Sequence, residues 1–250
     1  MFGKNPKPSF GFEQTGERVL VRALFPTIQG EGPFTGHPAI FVRLGGCPLH
    51  CWFCDTDFTE ARSEWYTAEE LVWMCATNWD NARWQAEPLV VITGGEPLYQ
   101  NVGPLIRGLL DSGFQVQIET SGAVKNVPSA LLWQPGVHTV VSPKTASVHP
   151  DILRYATDWK YVIGHDATVT EDGVPVVDTQ DTGKPRQLAS PFGRVSPDPF
   201  RVWLQPREDY DPVGKPNKLA NDANLQRTKQ VALLFGYCVS LQTHKILGVE

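Results

Sequence analysis

Three cysteines stand close together near residue 50, and their spacing suits metal chemistry. Cys47, Cys51 and Cys54 form a C-x3-C-x2-C pattern within residues 45–55. Loops of this length can bring three thiolates to one inorganic centre, and three thiolates leave one iron of a 4Fe–4S cube without a protein ligand. A catalytic centre needs such an open position, because a substrate or cofactor can bind there. The pattern therefore favours a catalytic iron–sulfur site.

A structural zinc site of the Cys3His type is the alternative, with His50 as the fourth ligand. His50 is adjacent to Cys51, which would strain a closed tetrahedron, and no second ligand pair follows at finger spacing. We therefore expect His50 at the surface of the loop. Cys75 and Cys238 stand alone, and we expect both to be core thiols because cysteine is among the most buried residue types.

The composition is that of a globular chain in a reducing compartment. The 250 residues are 41% hydrophobic and 20% charged, and 22 Lys+Arg against 27 Asp+Glu give a net charge of −5. A mildly acidic chain without a basic run argues against nucleic acid or a membrane surface as a partner. No apolar stretch reaches the roughly 18 residues of a membrane span, and residues 1–8 lack the apolar core of a secretory signal. We expect a cytoplasmic protein.

Short apolar runs separated by helical segments must position these residues, and they predict an α/β fold with a buried parallel sheet. The strand-like runs are Arg18–Ile28, 39–44, 89–93, 116–119, 138–141, 159–163, 202–204 and 237–242. Most of them end in turn residues with polar side chains. We expect βα units curled into a partial or complete barrel.

Helix signals separate several of these runs. Thr67 and Glu70 form a capping box before an apolar stretch, and a second helical stretch covers 102–110. Near the C-terminus, Asp222 is predicted to cap a helix that ends at Gly236. The apolar stripe of that helix is Leu225, Thr228, Ala232 and Phe235.

One segment, residues 165–199, interrupts this alternation of strand-like and helical segments and is called the insert below. It is rich in Asp, Gly, Pro, Thr and Val and has no helical stripe. So long a segment without structure is unusual inside a compact domain. A lid, a small hairpin near 174–177 and a mobile loop are the alternatives.

The cysteine pattern and the segment Thr93-Gly94-Gly95-Glu96-Pro97 at a strand end together resemble the radical S-adenosylmethionine (SAM) enzymes. The resemblance implies that the methionine moiety of SAM chelates the open iron, and that an electron from the cluster yields a 5′-deoxyadenosyl radical. It implies that the Gly-Gly-Glu-Pro turn holds the cofactor's amino group, with Glu96 fixing the turn. It also implies a partial (β/α)6-type barrel, as one domain at 18–250 after an N-terminal arm at 1–17.

A longer series of motifs resembles the 7-carboxy-7-deazaguanine synthase family. The motifs are TIQGEG at 27–32, FVRL at 41–44, CDT at 54–56, IETSG at 118–122, SPK at 142–144, LQP at 204–206 and QTHK at 242–245. The resemblance, which covers residues 20–163 and 200–250, implies a lyase that converts 6-carboxy-5,6,7,8-tetrahydropterin to 7-carboxy-7-deazaguanine. The ring contracts, ammonia is lost, SAM is used catalytically and Mg²⁺ assists. A homodimer and an external one-electron reductant such as flavodoxin are also implied.

The same resemblance implies a role for each motif residue. Substrate contacts are implied at Ile28, Gln29, Gly30, Glu31, Arg43, Thr93, His244 and Glu250. SAM contacts are implied at Phe53, Cys54, Asp55, Gly95, Glu119, Ser142, Pro143, Lys144 and Gln205. The implied metal ligands are Cys47, Cys51 and Cys54 for the 4Fe–4S cluster and Thr56 for Mg²⁺.

The residue chemistry suits these roles but leaves alternatives. The amide of Gln29 and the carboxylate of Glu31 can pair with a 2-amino-pyrimidinone edge, or they form only a polar turn. Arg43, inside an apolar strand, needs a partner, which is either the substrate or a structural carboxylate. Thr56 is a weak ligand of the kind that suits Mg²⁺, or it is a turn cap. Glu119 anchors the cofactor ribose, or it is a solvated strand-end carboxylate.

The C-terminus and two rival functions complete the expectations. The resemblance implies that the α-carboxylate of Glu250 reaches the active site, so that a C-terminal tag lowers turnover; a frayed tail is the alternative.

A glycyl-radical activating enzyme shares the cysteine spacing but would not explain Gln29, Glu31 and His244. A non-catalytic zinc module is the rival from another class, and bound iron after anaerobic purification distinguishes it.

Overall fold

The computed structural model describes residues 8, 15–58, 62–125, 127–193 and 199–249. Most of the arm expected at 1–17 lies outside the described residues, as does Glu250. The strands are β1 (Arg18–Ile28), β2 (Pro38–Leu44), β3 (Glu64–Thr67), β4 (Leu89–Gly94), β5 (Gln115–Thr120), β6 (Val137–Val141), β7 (Asp158–Ile163), β8 (Thr168–Val169), β9 (Pro175–Val177), β10 (Arg186–Gln187), β11 (Arg201–Pro206) and β12 (Cys238–Val239). The α-helices are α1 (Ala68–Ala82), α2 (Gly103–Asp111), α3 (Ser129–Leu132), α4 (Pro150–Tyr155), α5 (Lys218–Phe235) and α6 (Thr243–Leu247).

A nine-stranded sheet forms the frame, in the order β12-β11-β7-β6-β5-β4-β2-β1-β3. The strands from β2 to β12 in this order are parallel, whereas β1 is antiparallel to both β2 and β3. The described strands leave β3 and β12 as free edges, so the sheet is an open, partial barrel. The predicted α/β class with a parallel sheet is confirmed.

One face of the sheet packs under the helices and forms the main core. Side chains alternate between the two faces of a strand, so Ile40 and Val42 of β2 point to the same side. Both are fully buried there, together with Leu71 of α1, Leu105 of α2 and Trp159 of β7. Burial of an aliphatic side chain of this size contributes roughly 1.5–3 kcal/mol, which makes this layer the rigid support of the site.

The opposite, concave face is apolar at one end and polar at the other. Ala39, Phe41, Leu89 and Val91 form a second, smaller buried cluster on it. Further along the same strands the polar residues follow, as Arg43 does two positions after Phe41. The sheet therefore presents its polar side chains at the carboxyl ends of the parallel strands, beside an apolar floor.

The helix boundaries follow local capping chemistry. The hydroxyl of Thr67 accepts a hydrogen bond from the backbone N–H of Glu70 at 3.1 Å, which confirms the capping box of α1. The predicted cap of α5 was wrong: the side chain of Asn217 caps this helix, accepting from Ala220 N at 3.2 Å, and Asp222 lies exposed one turn inside. The buried residues of α5 are Asn224, Thr228, Val231 and Ala232. Gly236, at φ 72°, ends it as predicted.

Two further expectations changed at the C-terminal edge of the sheet. Cys75 is buried in α1 as predicted, but Cys238 is exposed, because it lies in β12, a free edge of the sheet. The strand predicted at 237–242 is only Cys238–Val239, since the chain turns into α6 soon after.

The insert contains a small sheet of order β10-β9-β8, in which Pro175–Val177 is the central strand. A hairpin near 174–177 is therefore confirmed. Among the described residues no helix has the length and apolar character needed to cross a membrane.

Candidate active site

A cavity of about 460 Å³ lies at the carboxyl ends of the parallel strands. This is where ligands bind in open α/β sheets and in barrels, because the loops that follow the strands converge there. The predicted site residues that line it are Gln29, Glu31, Arg43, Cys47, Cys51, Phe53, Cys54, Asp55, Thr56, Thr93, Gly95, Glu119, Ser142, Lys144, Gln205 and His244. Ile28, Gly30 and Pro143 lie next to lining residues in the chain.

The three clustered thiols all face this cavity. Burial raises the pKa of each thiol, that of Cys54 to about 11, so without metal the thiols are protonated at neutral pH. The positive charge of Lys144 opposes this effect at Cys51 and Cys54. Metal binding displaces the thiol protons, so these residues suit a centre that supplies positive charge of its own.

The cysteine loop does not form a site for one metal ion. Among the described residues no three His, Cys, Asp or Glu side chains converge in that way. His50 lines the cavity half-buried, and its backbone N–H donates to Gln180 Oε1 at 2.8 Å. The geometry gives no support to a closed Cys3His site. The three thiols line the same cavity, where in a cluster each thiolate would bind a different iron.

The turn after β4 packs directly on the cysteine loop. Gly95 N donates to Leu44 O and Glu96 N to Gly46 O, both at 3.0 Å. A Cβ atom on Gly95 would lie 2.0 Å from Gly46 O, and Gly94 has a φ of 129°. Only glycine fits such close backbone approach and such a φ, which gives both glycines a physical reason.

Glu96 is a structural acceptor, as predicted. Its carboxylate, 1% exposed, accepts from Leu98 N at 3.1 Å and from Ser121 N at 2.8 Å. It also accepts from the hydroxyls of Thr120 and Ser121, both at 2.5 Å. With its oxygens occupied in this way, Glu96 joins the end of β4 to the end of β5.

Glu119 is the centre of a hydrogen-bond network on the concave face. Its carboxylate accepts from Gln29 Nε2 at 3.0 Å, from Gln117 Nε2 at 2.9 Å and from Thr93 Oγ1 at 3.0 Å. The alternative of a solvated carboxylate is therefore wrong. Gln29 is also fixed at its other end, because its Oε1 accepts from Glu31 N at 3.0 Å.

A buried ion pair between Glu31 and Lys160 of β7 lies beside this network. The side chains are 12% and 8% exposed. Burial disfavours both charges, but the partner outweighs burial, so the pKa of Glu31 lies below and that of Lys160 above the ordinary value. Gln242 Nε2 and Gln205 Nε2 also donate to Glu31, at 2.8 and 3.3 Å.

Lys160 was missed by the sequence analysis. The signal was present, because a lysine in the middle of a buried, apolar strand requires a partner. Trp159 and Tyr161 on either side of it are fully buried in the main core, and Lys160 faces the cavity. Gln242 and Lys245, at the C-terminal side of the site, were missed as contributors as well.

Arg43 points into the cavity from β2. Its guanidinium lies 5.3 Å from the centre of the Phe25 ring. Within the described part of the chain it forms no ion pair, so the alternative of a structural salt bridge finds no partner there. A charge held over a ring at a cavity wall is available to an anionic ligand.

Asp55 and Thr56 lie together at one side of the cavity. Thr56 Oγ1 donates to Asp55 Oδ1 at 3.3 Å, and Asp55 Oδ2 accepts from Lys245 Nζ at 2.8 Å. Burial opposes ionisation of Asp55, but Lys245 outweighs it and holds the pKa of Asp55 below its ordinary value. An ionised carboxylate and a hydroxyl are oxygen ligands of the kind that Mg²⁺ takes.

The C-terminal helix α6 meets the turn after β1. Thr243 N donates to Gly30 O at 3.1 Å, and a Cβ on Gly30 would lie 1.9 Å from His244 Nδ1. The absence of a side chain at position 30 therefore lets His244 reach the cavity. Burial lowers the pKa of His244, so the ring is neutral at pH 7.

The residues that follow β6 and those at the end of β11 also carry polar groups to which a bound cofactor could form hydrogen bonds. Lys144 Nζ donates to Ser142 O at 2.8 Å and to Ser142 Oγ at 2.6 Å. Gln205 is buried, and its Oε1 has no hydrogen-bond partner in the part of the chain that the structure describes. An unpaired buried acceptor is unfavourable unless a ligand donates to it. Together with three thiols on one wall, this set fits a cluster with a polar organic cofactor beside it.

Comparisons with known proteins found relatives that match over the whole chain. A search against models of protein families gave no match. The chain is 40% identical over 252 residues to a 7-carboxy-7-deazaguanine synthase of Rhodospirillum rubrum, covering all of both chains. It is 36% identical to the enzyme of that name from Rickettsia prowazekii, covering all of this chain and 96% of that one. The crystal structure of QueE from Escherichia coli aligns with a TM-score of 0.63 at 26% identity, over 90% of this chain and 93% of that one.

Proposed function

The chain belongs to the 7-carboxy-7-deazaguanine synthase family, and from this premise we propose how its own residues bind 6-carboxy-5,6,7,8-tetrahydropterin and convert it to 7-carboxy-7-deazaguanine. The family consists of radical SAM enzymes of deazapurine biosynthesis. The observation that carries the proposal is the convergence on one cavity of three thiols, the fixed carboxylate of Glu31 and Arg43, which forms no ion pair with any described residue.

Polar groups of the concave face recognise the substrate. Lys160 keeps Glu31 ionised, so this carboxylate accepts from the amino group and ring N–H of a 2-amino-pyrimidinone edge. Arg43 meets the substrate carboxylate with paired N–H donors. Thr93 and the neutral ring of His244 complete the binding surface. Gln29 holds Glu119 in place and keeps a second amide hydrogen for the substrate, for which Ile28, Gly30 and Glu250 are also proposed as contacts.

The opposite wall holds the metal centre and SAM. Cys47, Cys51 and Cys54 would ligate a 4Fe–4S cluster, and SAM bound to it supplies the radical that removes hydrogen from the substrate. SAM contacts are proposed at Phe53, Asp55, Gly95, Glu119, Ser142, Pro143, Lys144 and Gln205. Phe41 of the smaller apolar cluster gives this region part of an apolar floor.

We extend the proposal to Mg²⁺ and to the assembly. Thr56 is proposed as the protein ligand of Mg²⁺, with its hydroxyl directed by Asp55. Such a site suits an ion that retains several waters and takes oxygens of the substrate. The homodimer and the external one-electron reductant rest on the family resemblance, as does the division into an arm at 1–17 and a core domain at 18–250.

Anaerobic reconstitution followed by turnover tests the proposal. We expect about four irons per chain, a brown protein, and conversion of the carboxy-tetrahydropterin without net consumption of SAM. Cys47→Ala should lose both the iron and the activity, whereas Cys238→Ala, at the exposed thiol of β12, should keep both. Stoichiometric zinc without iron would contradict the metal centre, and consumption of SAM with no deazaguanine product would contradict the substrate.

A further inference from the structure

Part of the insert lies against the cysteine loop. Residues 178–180, called the strap below, contact residues 50–52 through the backbone and through side chains. Trp52 N donates to Thr179 O at 3.2 Å, and Trp52 Nε1 donates to Asp178 O at 2.8 Å. Thr179 Oγ1 donates to Lys144 O at 2.5 Å, so the strap also holds the loop that carries the SPK motif.

Gln180 makes the contact that matters for chemistry. Its Oε1 accepts from His50 N at 2.8 Å, and its Nε2 lies 3.1 Å from Cys51 Sγ. Nε2 also donates to Thr179 Oγ1 at 3.1 Å, which occupies its second hydrogen. The orientation of the amide is determined by these partners: after a flip, the amide nitrogen would face the N–H of His50.

We propose that the strap positions the cysteine loop and that Gln180 donates a hydrogen bond to the sulfur of Cys51, raising the reduction potential of the cluster bound there. The inference rests on the proposed function, in which Cys51 is a cluster ligand. Gln180 is a positioning residue, because it acts through Cys51 and not on the substrate.

The physical reason is the charge of the reduced cluster. Reduction adds an electron, and part of that charge resides on the sulfur ligands. A hydrogen-bond donor directed at such a sulfur stabilises the reduced state more than the oxidised state, so it raises the potential. Lys144, whose charge acts on the same thiol, belongs to the SPK motif, whereas Gln180 comes from the insert.

Two substitutions of Gln180 test whether it donates a hydrogen bond to Cys51 or only positions the cysteine loop. Gln180→Leu removes both the donor to Cys51 and the acceptor for His50. Gln180→Glu keeps an acceptor for the N–H of His50 but replaces the donor by a negative charge. Gln187→Leu, at an exposed position of β10 in the same insert, is the matched control.

The experiment is a redox titration of the anaerobically reconstituted protein, followed by electron paramagnetic resonance of the reduced cluster. We expect a lower midpoint potential in Gln180→Leu and a still lower one in Gln180→Glu, with Gln187→Leu unchanged. A Gln180→Leu variant that holds its full cluster at the wild-type potential would overturn the inference, because the added charge of Gln180→Glu lowers the potential whether or not the glutamine donates. If Gln180→Leu fails to hold iron, Gln180→Met, a neutral side chain of similar length that also lacks the donor, decides.

The iron content of the wild-type protein separates the two levels of the proposal. A wild-type chain that takes up no iron contradicts the cluster itself, and the proposed function fails. A wild-type chain with its full cluster, whose potential does not move in either Gln180 variant, leaves the function intact and refutes the role of Gln180.

Discussion

Lys160→Met removes the cation that neutralises Glu31 and leaves a buried carboxylate with neutral partners only. The two side chains are 8% and 12% exposed, so only water inside the cavity could take the place of the lost partner. Breaking a buried ion pair by removing one member destabilises a protein by about 3–5 kcal/mol. Glu31 retains amide hydrogen bonds from Gln205 and Gln242, at 3.3 and 2.8 Å, so we expect the lower end, about 3 kcal/mol.

The pH dependence of this loss of stability tests the role of the ion pair more stringently than its size does. In the native protein the pKa of Glu31 is lowered, so its contribution to stability is complete above the unfolded value of about 4.3 and is lost as the pH falls through the folded pKa. The pKa of Lys160 is raised, so its contribution is complete below ~10.4 and is lost only as the pH rises through the folded pKa. Both contributions are therefore intact between pH 5 and pH 8, roughly.

In Lys160→Met this balance changes, because burial acts on Glu31 without an opposing charge. Its folded pKa then lies above the unfolded value, and the variant loses stability as the pH rises. For a chain of this length, about 3 kcal/mol corresponds to a fall in melting temperature of roughly 6–12 °C. We expect this fall near pH 8 and a smaller one near pH 5.

Thermal unfolding at both pH values, with the reconstituted protein, measures the effect. Lys229→Met, at an exposed position of α5, is the matched control and should change the melting temperature little at either pH. The double variant Lys160→Met with Glu31→Gln should recover most of the loss, because no buried charge remains. A fall in melting temperature that is the same at pH 5 and pH 8, or no recovery in the double variant, would refute the argument.

Three further predictions concern ligands and close contacts. Arg43→Gln should raise the KM for the carboxylated substrate about 10- to 100-fold, since a charge-assisted hydrogen bond contributes about 1.5–3 kcal/mol; an unchanged KM in steady-state assays would contradict its role. Gly95→Ala should lower the iron content, because its Cβ would lie 2.0 Å from Gly46 O; full iron loading would contradict the tight packing of the turn. Gly30→Ala should displace His244, because the new Cβ would lie 1.9 Å from its Nδ1, and α6 should then be exposed to proteases. A wild-type digestion pattern would contradict this contact between α6 and the turn after β1.

Gly108→Ala is the common control for the two glycine variants. Its Cβ would meet a methyl group of Val72 at 2.9 Å, a side chain that can adjust, and neither residue lines the cavity. Alanine is also favoured over glycine within a helix such as α2. We expect Gly108→Ala to keep the wild-type iron content, KM and digestion pattern.

The frame of the fold could be predicted because its signals are local. The runs at 89–93 and 116–119 became β4 and β5, since short apolar stretches bounded by turns have few other structures available. The capping box at Thr67 was predicted for the same reason. The start of α5 was not, because Asn217 and Asp222 are both good caps, and the choice between them depends on the tertiary position of residues 218–221.

The candidate site, too, could be predicted from the sequence only in part. Motif residues such as Arg43 and Gln205 could be placed at strand ends from sequence, and the structure brings them to one cavity. Which residue pairs with which could not be predicted. Lys160 meets Glu31 across 129 residues of chain, and Gln180 meets Cys51 across the same separation. Contacts of this range depend on the packing of the whole sheet and leave no periodic signal.

The contact between α6 and the turn after β1 has a consequence for the order in which parts of the chain fold. Thr243 Oγ1 donates to Gly30 O across 213 residues, so this wall of the cavity joins the first strand to the last described helix. During synthesis the cysteine loop emerges long before α6 exists, and contacts of such range form late in folding. A chain in which α6 has not yet folded therefore lacks one wall of the cavity that the thiols face.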